Sequence, residues 1–95
     1  MTNIYINDHS ISCVGHAGDK IACAMLTAIT YSLVDNIVNR LDYHDLSYDL
    51  EPGLFIIDYS NTSGAAMELV EAFKYSICRL AEDYPDNFKI DTTKH

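Results

Sequence analysis

Two proline-free stretches, Lys20 to about Arg40 and Ala65 to about Asp83, repeat apolar residues at helical spacing and dominate what this chain can fold into. In the first, Ile21, Met25, Ala28, Ile29, Leu33, Ile37 and Leu41 are expected to form the buried stripe, with Asp19 as N-cap. Several β-branched residues lower its intrinsic propensity, so packing must hold it. In the second, Leu69, Val70, Phe73, Ile77, Leu80 and Tyr84 face inward, and Pro85 stops the helix.

The segments around the helices are short and alternate. Thr2 to Ile6 reads as a strand, Asn7-Asp8-His9 as a turn, and Ser10 to Gly15 as a second strand forming a hairpin with the first. Tyr43 to Leu50 alternates loosely and is read as a strand carrying His44. Glu51-Pro52-Gly53 is a turn, and Leu54 to Tyr59, the most apolar short run, reads as a central strand. Asn61 to Gly64 is a loop with capping residues. Phe88 to Ile90 adds a short final strand, and the tail from Thr92 to His95 is expected to be loose. The order ββαββα(β) predicts one α+β domain spanning residues 1–95. It has two layers, a mixed or antiparallel sheet with both helices on one face, and the other face open to a second copy.

A 95-residue chain that is 48% hydrophobic can build a thin but real core. A formal charge of −8 argues against nucleic acid as a partner and favours a cationic one, although an acidic surface also serves solubility alone. No apolar run is read as membrane-spanning and no leader is recognised at the N-terminus. The three cysteines are an odd number without paired spacing, which suits reduced thiols in a cytoplasmic protein.

Chemistry concentrates in Gly15-His16-Ala17-Gly18-Asp19-Lys20-Ile21-Ala22-Cys23. The segment ends a strand, makes a glycine-flanked loop and opens a helix. Cys23 falls in the first turn, where unpaired amides and the positive end of the helix dipole favour thiolate. His16 on the loop before it can serve as its base. Read locally, the same residues also fit an inert pair: a cysteine acting as a small hydrophobe and a histidine as a satisfied polar group. Cys13, His16 and Cys23 with His9 make a weaker zinc reading, because paired short-spaced ligands are missing. Cys78 reads as core, His9 and His44 receive no role, and Asp35, Asp42 and Asp45 read as a solvated surface. Gly15-x-x-Gly18 matches no phosphate-loop spacing.

The segment Gly15-His16-Ala17-Gly18, followed by Lys20-Ile21-Ala22-Cys23-Ala24-Met25-Leu26-Thr27, resembles the hallmark of the bacterial ribosomal-processing cysteine proteases. Ala72 to Pro85 is similar to that family's second helix, ending in Tyr-Pro, and Asp86 to Ile90 to its last strand. The resemblance thus spans nearly the whole chain. It implies a cysteine endopeptidase with Cys23 as nucleophile and His16 as general base. Thr27 stands where the family has Ser, and Gly15, Gly18 and Asp19 support the pair. It further implies a homodimer, no metal or organic cofactor, and removal of an N-terminal extension from a basic large-subunit ribosomal protein.

Two departures stand out. The loop between His16 and Cys23 is several residues shorter than in typical members, and Lys20 occupies the position of a family Asp, with the acid shifted to Asp19. They leave room for a phage-type homologue acting on a capsid or other protein, and for a binding module without catalysis. A thiol redox sensor is a third reading; it would need Cys13 or Cys78 brought near Cys23 by folding.

Overall fold

The computed structural model describes residues 1–92. Its elements run β1 (Thr2–Ile6), β2 (Ser10–Val14), α1 (Lys20–Asp35), β3 (Ser47–Glu51), β4 (Leu54–Asp58), α2 (Gly64–Asp83) and β5 (Phe88–Thr92). The strands form one sheet in the order β3-β4-β2-β1-β5. Three pairings are antiparallel, and β5 joins β1 in parallel, so the expected two-layer α+β fold with a mixed sheet is the one observed.

Alternation in the strands explains the two faces. One row across the sheet reads Ile90, Ile4, Cys13, Phe55 and Leu50, and the next reads Thr92, Ile6, Ile11, Ile57 and Tyr48. Ile4, Cys13, Phe55, Ile11 and Ile57 are buried under the helices, and Ile6 is half-buried against them. The opposite face carries Asn3, Tyr5, Ser12 and Val14, with Tyr5 and Val14 exposed. α2 contributes Val70, Phe73, Ile77 and Leu80 to the core as its spacing predicts. Each such side chain stabilises by about 1.5–3 kcal/mol on full burial.

Four expectations change. α1 buries Ala22, Leu26, Thr30, Leu33 and Val34, whereas Ile21 and Met25 are exposed. Leu33 and Ile37 are buried as expected, but over the first turns the buried stripe lies one residue further on, about 100° around the helix. The cause is a charge-free sequence from Ile21 to Val34, whose apolar side chains occupy every face and leave the choice to the neighbours. Beyond Asp35 the helix widens into a π turn over Asn36–Arg40, the Leu41 amide donating to the Asn36 carbonyl. The continuous helix Lys20–Arg40 has 21 residues and a hydropathy of 1.6, long and apolar enough to cross a bilayer by length and composition, contrary to the sequence reading.

The third change is in the strands. β4 is an interior strand as expected, paired with β3 and β2, but β3 starts only at Ser47, so His44 precedes it. The last is at the C-terminal end. β5 continues to Thr92 because β1 offers a partner along its whole length, Ile6 pairing with Thr92. The rest of the expected loose tail, residues 93–95, lies outside the described residues.

Candidate active site

Where β2 ends, Gly15 turns the chain with φ +100. Its amide donates to the Gly53 carbonyl at 2.9 Å, and its carbonyl accepts from Thr2 Oγ1 at 3.3 Å. A Cβ at Gly15 would meet the Met1 carbonyl oxygen at 2.6 Å, so both the conformation and the space require glycine. Ala17 is buried, its carbonyl accepting from Asn87 Nδ2 at 2.8 Å. Gly18, at φ +82, then leads into the helix.

Asp19 starts that helix as predicted. Its Oδ1 accepts from the Ile21 amide at 2.8 Å and the Ala22 amide at 3.3 Å, and its carbonyl accepts from the Cys23 amide at 2.9 Å. Cys23 is therefore the fourth residue of the helix and is exposed. Thr27 lies one turn on, but its hydroxyl donates to the Cys23 carbonyl at 2.9 Å and so is engaged by the backbone.

His16 and Cys23 line one cleft of about 230 Å³, together with Gly15 and Thr27. The displaced stripe of α1 makes this possible: Cys23, Thr27 and Tyr31 follow at i, i+4, i+8 along the flank facing the β3–β4 turn. Across the cleft stand Pro52, Gly53 and Phe55, with the Tyr31 and Phe55 rings edge to face at 6.0 Å. The walls are thus mostly apolar. The His16 ring rests on Gly53, where a Cβ would come within 2.9 Å of Nε2.

Cys13 also borders the cleft, from beneath. Burial pushes its thiol up to about 12, so it stays protonated at neutral pH and is no nucleophile. Cys78 is half-buried on α2 and packs against the core. His9 sits in the β1–β2 turn, at the other end of β2 from His16, so the four candidate zinc ligands are not brought together. Among the described residues no group of three or more His, Cys, Asp and Glu gathers to hold a metal ion. His44 is exposed beside Asp42.

Gly53, Tyr31 and Asn87 were not singled out from the sequence. Pro52-Gly53 reads there only as a turn, Tyr31 lies in the first helix outside the expected stripe, and Asn87 falls within the resemblance to a last strand. A glycine at a tight turn was the one available signal, and nothing local told that a histidine would rest on it.

No family model matches the chain, and no curated protein is similar to it in sequence. Solved structures are similar in fold. SMU.848 from Streptococcus mutans matches with a TM-score of 0.75 and 24% identity, over 99% of this chain and 93% of that one. The ribosomal processing protease Prp from S. aureus, in complex with a covalently linked product peptide, matches with a TM-score of 0.76 and 24% identity, over 97% of both chains. The same protease with a substrate peptide matches at 0.73 and 18% identity, again over 97% of both. The resemblance read from the sequence is thus matched by architecture: the chain has the fold of Prp along nearly its entire length.

Proposed function

We propose that the chain is a cysteine endopeptidase with Cys23 as nucleophile and His16 as general base. The observation that carries this reading is that the two side chains line one cleft, on a fold shared with a protease solved with peptides bound. His16 accepts the thiol proton as Cys23 Sγ attacks the scissile carbonyl, then donates it to the departing amine. Water then releases the acyl group from sulfur, with His16 as base again. Because Asp19 occupies the amides of Ile21, Ala22 and Cys23, the oxyanion donors are drawn from Gly18, Asp19 and Lys20.

The apolar walls formed by Tyr31, Pro52 and Phe55 suit a large apolar side chain next to the scissile bond. The charge of −8 suits a basic precursor, and Prp is named for ribosomal processing. The substrate we infer is therefore the N-terminal extension of a basic ribosomal protein, cleaved in the cytoplasm. A homodimer joined over the exposed sheet face around Tyr5 and Val14 is the matching proposal for assembly. Incubation with a tagged precursor and mass spectrometry of the products tests the reading. Cys23→Ala and His16→Ala should each abolish cleavage while unfolding as cooperatively as the parent. Undiminished cleavage by Cys23→Ala would reject the mechanism; a parent that cleaves nothing and whose Cys23 is alkylated no faster than Cys13 or Cys78 would favour the non-catalytic binding module.

A further inference from the structure

The His16 loop is held from the far end of the chain. Asn87, in the turn between α2 and β5, is fixed by its own backbone: its amide donates to the Tyr84 carbonyl at 3.0 Å and its carbonyl accepts from the Thr2 amide at 2.9 Å. From that anchored position its side chain donates to the Ala17 carbonyl at 2.8 Å. Among the described residues this is the sole hydrogen bond made by residues 16–18. Glycines at positive φ stand on both sides, at 15 and 18, and by themselves give the segment wide backbone freedom. The Asn87 bond and the buried Ala17 methyl remove that freedom next to the histidine.

We propose that Asn87 is a positioning residue for the His16–Cys23 pair, tying the loop into a preformed geometry so that no lid closure is needed to assemble the site. This rests on the protease reading for its catalytic consequence, but not for the tether itself. A rigid site is the physical counterpart of the short loop: its ends are bound to Gly53 and to the first turn of α1, and Asn87 holds its middle.

The test uses the full chain with Asn87→Asp, which keeps the shape but loses the donor, and Asn87→Ala. Three readouts are taken: backbone 15N order parameters of residues 16–19, the pH profile of Cys23 alkylation by iodoacetamide, and kcat and KM on a precursor. Losing one hydrogen bond should lower the order parameters from the rigid range towards that of a flexible loop and lower kcat about tenfold, with KM little changed. The pH profile of Cys23 alkylation should change with the loosened loop. Asn87→Gln, which keeps a donor on a longer arm, should recover part of each effect.

Wild-type order parameters and a wild-type alkylation profile in Asn87→Asp would overturn the proposal. If the parent cleaves nothing but the order parameters of its loop still fall in Asn87→Asp, the tether stands and the protease reading falls. Should Asn87→Ala fail to fold, the Asn87→Asp and Asn87→Gln pair decides alone.

Discussion

The His16 ring lies against the backbone of Gly53: a Cβ there would sit 2.9 Å from Nε2 and 3.1 Å from Cε1. The turn between β3 and β4 therefore does two jobs. Its Pro-Gly pair reverses the chain, with Gly53 at φ +78, and its bare Cα forms the surface that sets the imidazole.

Gly53→Ala should combine backbone strain with a collision at His16. Gly64→Ala supplies the control, since Gly64 is also at positive φ (+64) but has nothing within 4 Å of a new Cβ. Both variants should lose about 1–2 kcal/mol of stability from the left-handed backbone. On the proposed mechanism, only Gly53→Ala should also lose about tenfold or more in kcat, because His16 would be displaced from its place beside Cys23. Equal activity in the two variants, measured on one precursor, would show that His16 does not depend on this contact.

Asp19 is the cap of the helix that presents Cys23, and its carboxylate oxygen serves two amides. Asp19→Ala should cost about 1 kcal/mol, and Asp19→Asn or Asp19→Ser much less, since their side chains still accept. For a domain of this size that is a fall in Tm of about 4–8 °C, readable by circular dichroism. The charge itself is dispensable for capping. An Asp19→Asn variant as unstable as Asp19→Ala would mean that the carboxylate does more than cap.

What the sequence made legible follows from where its patterns were unambiguous. α2 mixes charged and apolar residues, so its inward face of Val70, Phe73, Ile77 and Leu80 could be read directly. α1 has no charge between Lys20 and Asp35, so its period carried little information: Leu33 and Ile37 face inward as expected, but the first turns are rotated by one residue. That error also hid Tyr31, which follows Cys23 along the flank of the cleft. His16 and Cys23 were legible because both lie in one short segment. Gly53 and Asn87 were not, because their contacts with the loop exist only once the sheet has paired β4 with β2 and β5 with β1.

Tyr31 should act on binding and not on chemistry. Its ring meets Phe55 edge to face and lines the cleft without approaching a proton-transfer role. Tyr31→Ala should raise KM and leave kcat nearly unchanged, with a stability loss of about 0.5–1.5 kcal/mol from the lost aromatic pair. Tyr31→Phe should behave as the parent. A kcat effect in Tyr31→Phe would assign the hydroxyl a role that its position does not suggest.

Cys13 gives a signature at high pH. Burial raises its thiol from an ordinary 9.0 to about 12, so the folded state keeps a proton that the unfolded chain releases first. Below pH 9 both states hold it and stability does not vary through this group. Between pH 9 and 12 the unfolded state binds fewer protons, so stability falls as pH rises, by at most about 4 kcal/mol over three units at 1.36 kcal/mol each. Tyrosines and lysines titrate in the same range, so the quantity to measure is the difference from Cys13→Ala. That variant should be less stable than the parent at pH 8, by about 1 kcal/mol for the small cavity. Its urea-derived stability should then fall less steeply above pH 9, so that the two curves cross at about pH 10. Curves that stay parallel up to pH 11 would show that the sulfur beneath the cleft ionises without opposition from its surroundings.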